Sequence, residues 1–190
     1  MNILLIRHAE TDMAGRFCGH SDPALNEAGE RQALRLAEEI SRLGVARIYS
    51  SDLRRAAQTA AAVARRTGIA VSHRVGLREI DFGQWEGLDW RQIELRFPEE
   101  AGLWLREFPL RSAPGGESYS AFTDRVAMTI ATLLRTTTRE TAAVVTHRGV
   151  MSHVLTKFFG FPEQEAWART ASYGATVIAT NPASANEVLP

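Results

Sequence analysis

The sequence predicts an α/β fold: a three-layer sandwich with a mostly parallel sheet flanked by helices. Short apolar runs such as NILLI (2–6) and AAVVT (142–146) lack polar alternation, as strands buried on both faces do. Segments of helical periodicity lie between such runs, so strand and helix alternate along the chain. At 190 residues the chain is long enough for one well-formed core.

NILLI is the first strand. LNEAGERQALRLAEEISRLG reads as a helix with Asn26 as N-cap, an apolar stripe of Ala33, Leu36, Ala37, Ile40 and Leu43, and Gly44 as C-cap. ARIYS (46–50) is a second strand. Ser51 then caps the helix DLRRAAQTAAAVARRT, which Gly68 closes. IAVSHRV (69–75) is a third strand. From Arg78 to Gly116 the chain carries Trp85, Trp90 and Trp104, with Phe82, Phe97 and Phe108 and prolines at 98, 109 and 114. This stretch reads as an excursion with its own short helices over one end of the sheet. Ser118 or Ser120 starts a long amphipathic helix bearing Phe122, Val126, Ile130, Leu133 and Leu134. AAVVT is a further buried strand, GVMSHVLTKFFG a helix ending at Gly160, and ATVIAT (175–180) a last strand. Residues 1–180 are thus expected to form one domain, with the excursion at about 78–116 covering the site and a loose tail at 181–190.

Lys+Arg and Asp+Glu both count 22, so the formal net charge is zero. That argues against nucleic acid or an anionic membrane as the main partner, though not against a local basic pocket. The single cysteine, Cys18, rules out an intramolecular disulfide and fits a reducing compartment. The first apolar stretch is short and runs into charge, unlike a signal peptide, and no window reaches the length of a membrane span. A cytoplasmic protein is expected, and a homodimer is compatible with the sequence.

Ligands of open α/β sheets bind outside the carboxyl ends of the strands. Here the first strand ends in Arg7–His8, the second in Ser50–Ser51 with Arg54 and Arg55 one turn on, and AAVVT in His147–Arg148. On neighbouring parallel strands these groups would repel one another unless a multivalent anion sat among them, and phosphate suits the place. A neutral imidazole is a competent nucleophile toward phosphorus, and arginines can neutralise the transferring group. The best candidate for the acid that protonates the leaving oxygen is Glu79 in LREIDFGQWEG, beside apolar residues that would raise its pKa. Asp81 and Glu86 are nearby alternatives, Glu86 reading as structural. The Asp81–Phe82–Gly83 triplet, which spells a kinase metal motif, lacks the companion motifs. His147 and His153 do not share a helix face and so make no metal pair.

LIRHAET resembles the RHG signature of the histidine phosphatase superfamily, the group related to cofactor-dependent phosphoglycerate mutase. IYSSDLRRAAQTA, LREIDFGQWEG, GGES and VVTHRGV resemble its later motifs in the same order. The resemblance implies a phosphoglycerate mutase-like fold, a phosphate ester substrate, and no metal or organic cofactor. It implies His8 as the phosphate-accepting nucleophile and Glu79 as proton donor. Arg7, Arg55 and His147 would line the phosphate pocket, with Arg148, Cys18 and Gly19 also beside the phosphate or substrate. Arg55 rather than Arg54 fits the S-x-L-x-R pattern. Ala9 replaces the usual glycine, Ala14 stands where mutases carry asparagine, and no basic insertion for a second phosphate is evident. These departures favour a phosphatase over a mutase. GRFCGHSDPALNEAG, FGQWEGLDW and GGESYSAFTDRV look most like the branch of α-ribazole phosphatases, which act late in cobalamin synthesis and shade into broad-specificity phosphatases. A mutase, and a non-catalytic phospholigand-binding protein using the same pocket, are the competing readings.

Overall fold

The computed structural model describes residues 2–136 and 140–180. The tail at 181–190 lies outside them. Five strands form one sheet in the order β3–β2–β4–β1–β5: β1 Asn2–Arg7, β2 Val45–Ser50, β3 Val71–His73, β4 Thr141–Thr146 and β5 Thr176–Thr180. The first four are parallel neighbours, whereas β5 runs antiparallel to β1 along the edge.

Alternate residues of the strands feed two cores. Leu4, Ile6, Ile48, Ala143 and Val145 meet helices α1 (Glu27–Ile40) and α2 (Arg54–Thr67). Ile3, Leu5, Ala142, Val144 and Val177 meet α5 (Tyr119–Thr136), α6 (Arg148–Phe159) and α7 (Glu163–Arg169) on the other face. β1 and β4 have no polar alternation because both their faces are covered. Each fully buried Leu, Ile or Val adds roughly 1.5–3 kcal/mol of hydrophobic stabilisation. The three-layer, mostly parallel α/β architecture is as expected.

Asn26 caps α1, its Oδ1 accepting from Gly29 N–H at 2.8 Å. The helix ends at Ile40 with Ser41 as C-cap, not at Gly44. Gly44 instead takes φ +62° in the turn that enters β2, so Leu43 lies on that turn at the surface, outside the stripe. Ser51 is not the cap of α2 either. Leu53 holds the N-cap position without a side-chain bond, and Ser51 is buried for a different purpose. The third strand keeps only three residues, because it pairs on one side alone and the chain then tightens into a 3₁₀ turn at Val75–Leu77. Ser118 opens α5, its Oγ accepting from Ala121 N–H at 3.2 Å.

Between β3 and α5 the chain forms a 3₁₀ turn at Gly83–Trp85 and the short helices α3 (Trp90–Arg96) and α4 (Pro98–Glu107). Trp85, Ile93, Ala101 and Ala113 make a small separate core, joined by Phe17 from the loop after β1. Phe17 and Leu88 lock the two segments together: Phe17 N–H donates to Leu88 O, and Gly87 N–H to Phe17 O. No helix of the described residues is long and apolar enough to cross a membrane.

Candidate active site

β4 lies between β1 and β2, so the carboxyl ends of all three meet at one edge of the sheet. Pairing continues one residue past each strand: His8 N–H donates to Thr146 O and Ser51 N–H to Val145 O, both at 2.9 Å. This brings the rings of His8 and His147 to 5.1 Å between centroids. Ser51 Oγ lies 2.9 Å from His147 Nε2.

His8 Nδ1 lies 2.8 Å from Ala9 O. A carbonyl only accepts, so Nδ1 carries the hydrogen and Nε2 keeps its lone pair. Arg55 Nε donates to that lone pair at 3.3 Å. Burial, then the nearby Arg55 and Arg7 charges, pull the His8 pKa down to about 3, against a small opposing effect of the bond to Ala9. The ring is therefore neutral across the ordinary pH range. His147 lies well below its usual value too, through burial first and then Arg55 and His8. His147 Nδ1 and Arg7 Nε are buried without a partner among the described residues. With Ser51 Oγ donating to Nε2, His147 Nδ1–H joins Arg7 Nε–H as a free donor, and two such donors suit an anion.

These two buried imidazoles make stability depend on pH. Their folded pKa values are depressed, so below about pH 6.5 the unfolded chain binds protons that the folded chain refuses, and stability falls on acidification. His8 alone is expected to cost about 1.4 kcal/mol per pH unit between about pH 6 and its folded value. Glu79 acts in the opposite sense, since its raised pKa adds stability at low pH that is lost as pH rises through it. Urea unfolding at pH 7 and pH 5 should therefore show a larger loss for the wild type than for His8→Asn.

Glu79 is buried within reach of the Arg55 and Arg7 charges. Its Oε2 accepts from Gly149 N–H at 2.9 Å and its Oε1 from Ile80 N–H at 3.1 Å. Burial nevertheless raises its pKa, outweighing those two bonds and the Arg55 and Arg7 charges. Gly149 sits so close that an added Cβ would collide with Glu79 Oε1. Gly149→Ala is expected to cost about 1–3 kcal/mol through overpacking. Thermal unfolding checks this.

Arg7 stacks on Tyr173, its Cζ 4.2 Å from the ring centroid, and donates to the carbonyls of Thr170 and Ala171. Arg55 is fully buried in the first turn of α2. Arg54, one residue earlier, is exposed, as the S-x-L-x-R pattern implies. Arg148 turns toward α7: its Cζ lies 3.7 Å over the Trp167 ring and its Nη2 donates to Trp167 O at 3.1 Å. Cys18 and Gly19 lie on the far side of Arg55. Their carbonyls accept from its Nη2 at 3.1 and 2.7 Å, while Gly19 N–H is donated to Glu86. Gly19 therefore offers no free main-chain donor to a phosphate, and burial raises the Cys18 thiol pKa, keeping it protonated.

Several residues of this arrangement escaped the sequence reading. Thr59 Oγ1 accepts from Ala9 N–H at 3.0 Å, one helical turn beyond Arg55. Tyr173 lies 5.6 Å from the His8 ring between centroids. Arg125 donates to the carbonyls of Gly76, Arg78 and Glu79 while paired through two bonds of 2.7 Å with Glu117, and so clamps the segment that carries Glu79. A serine directly after a strand, a glycine in the first turn of a helix and the glutamate of GGES were visible signals, but none specified its contact. Asp81 faces His20 at 3.4 Å.

The fold and this paired-histidine edge define a phosphate-transferring class of α/β protein, and the comparisons agree. The chain matches the histidine phosphatase superfamily (branch 1) over residues 3–187 and belongs to it. It is 31% identical over 170 residues to phosphoserine phosphatase 1 of Hydrogenobacter thermophilus, covering 88% of this chain and 81% of that one. It is 33% identical over 174 residues to the "Probable phosphoglycerate mutase GpmB" of Salmonella typhi, covering 88% and 78%. The crystal structure of the α-ribazole phosphatase from Shigella flexneri superposes with a TM-score of 0.85 at 28% identity, over 94% of this chain and 89% of that one. Membership places this chain among phosphatase and mutase enzymes, whose substrates are small phosphate esters.

Proposed function

We propose that this enzyme is a phosphomonoesterase that hydrolyses a small phosphate ester through a phosphohistidine on His8. The observation that carries the reading is the tautomer of His8: Nδ1–H is tied to Ala9 O, and the Nε2 lone pair lies beside the second imidazole, the fully buried Arg55 and the half-buried Arg7. In the first step Nε2 attacks phosphorus, the ester P–O bond breaks, and the leaving oxygen takes the proton of the Glu79 carboxyl. In the second, water attacks the phosphoryl group, the Glu79 carboxylate takes its proton, and the N–P bond breaks to release phosphate. Arg7, Arg55 and His147 hold the phosphoryl oxygens as charge moves onto them.

The α-ribazole phosphatase neighbour and the motif resemblance make α-ribazole 5′-phosphate the first substrate to try. The test is a side-by-side screen of α-ribazole phosphate, phosphoserine, 3-phosphoglycerate and sugar phosphates, with alkaline quenching to detect an acid-labile, base-stable phosphoenzyme. Turnover without any phosphohistidine would overturn the mechanism. A mutase is the second reading, favoured by the 33% identity to the GpmB relative. Isomerisation of 3-phosphoglycerate outpacing phosphate release would establish it instead.

A further inference from the structure

Arg55 is a fully buried cation whose hydrogen bonds, among the described residues, run to no carboxylate. Its guanidinium donates to Cys18 O at 3.1 Å, Gly19 O at 2.7 Å and Ser21 O at 2.7 Å, and its Nε to His8 Nε2 at 3.3 Å. The same short loop is bound from behind by a carboxylate. Glu86 accepts from the N–H groups of Gly19 at 3.0 Å, His20 at 2.8 Å and Ser21 at 3.0 Å, and from Phe82 N–H at 3.0 Å. The peptide groups of residues 18–21 are thus held between an anion on their N–H side and a cation on their C=O side. Both sets of bonds are charge-assisted, the stronger kind. Gly19 permits the close approach: an added Cβ would strike Ile80 O and Glu86 Oε1.

We propose that Glu86 is a positioning residue for Arg55, and through it for His8: its carboxylate sets the 18–21 loop so that the loop's carbonyls aim the guanidinium at His8 Nε2. Arg55 cannot be aimed by its own helix alone, because a long side chain has many rotamers and only an oriented set of acceptors selects one. With two Nη2 hydrogens and one Nη1 hydrogen committed to the loop, the remaining Nη1 hydrogen and the Nε–H released on attack are left for phosphoryl oxygens. The catalytic consequence rests on the phosphohistidine reading above, whereas the positioning itself does not.

The test therefore reads His8 directly. Arg55, Arg7, His147 and Tyr173 are the charged, titratable and ring groups that face His8, and Glu86 is not among them. In the substrate-free wild type, NMR of ¹⁵N-labelled imidazole should show no His8 titration above about pH 4. In Glu86→Gln the loop loses its anion, Arg55 is released, and His8 should titrate at least about one unit higher because a neighbouring positive charge has moved away. Its kcat/KM at pH 7 should fall about 10- to 100-fold, with a new acid limb that the wild type lacks. Glu86→Asp keeps the charge on a shorter arm, the gentler change for folding, and should shift both readouts less and in the same direction. Folding of each variant is checked by its thermal transition. An unmoved His8 titration in a folded variant would reduce Glu86 to an ordinary structural anchor. A wild type that turns over none of the esters, with the His8 titration shifted as described, would sink the catalytic reading and leave the positioning intact.

Discussion

His8→Asn is expected to lower kcat by about 10⁵-fold and to abolish the phosphoenzyme, on the scale seen when a catalytic nucleophile is removed. Asparagine keeps a polar side chain of smaller volume and has no nitrogen lone pair able to attack phosphorus. The loss should lie in kcat rather than in phosphate affinity, because Arg7, Arg55 and His147 remain around the anion. Relief of strain is not the expected fold-level response: His8 makes one bond to Ala9 O and receives one from Arg55, so the variant should stay folded. Rapid-quench trapping of labelled enzyme, with vanadate binding as the affinity control, checks the outcome. Residual turnover within tenfold of the wild type would mean that another group attacks phosphorus.

Glu79→Gln is expected to lower kcat about 10²- to 10⁴-fold for substrates with a poor leaving group. The effect should shrink for a leaving group as acidic as a nitrophenol, which needs no proton. The pH profile carries the sign. Glu79 must be protonated to donate, so activity is present below its folded pKa and lost as pH rises through it. Because burial raises that pKa, the falling limb should lie above the usual carboxylate range, and Gln should erase it. His8 adds no acid limb above about pH 3, since it is already neutral there. Profiles of kcat/KM from pH 4 to 8, with two leaving groups, separate these effects.

Much of the fold was legible because burial on both faces leaves a simple mark. NILLI and AAVVT could only be strands between two helical layers, and the helices at Glu27–Ile40 and Arg54–Thr67 carried their stripes plainly. Errors came where one residue has two uses. Ser51 follows a strand and precedes a helix, which is the profile of a cap, yet its hydroxyl faces His147 Nε2. Gly44 looked like a helix end, whereas the helix had stopped at Ile40 and the glycine served the following turn. The helix Glu163–Arg169 was missed because seven residues hold too few periods to show a stripe.

The linear order of residues determined which groups arrive at the sheet edge: Arg7 and His8 end one apolar run, His147 and Arg148 follow another, and Arg55 sits one turn into a helix. Strand periodicity and the carboxyl-end rule suffice for that, because both act over a few residues. Only the tertiary structure decided how those groups behave. The strand order that puts β4 between β1 and β2 sets the 5.1 Å between rings, and a carbonyl at Ala9 chooses which His8 nitrogen is free. Desolvation, which no local pattern encodes, then holds both imidazoles neutral and Glu79 protonated beyond its usual range.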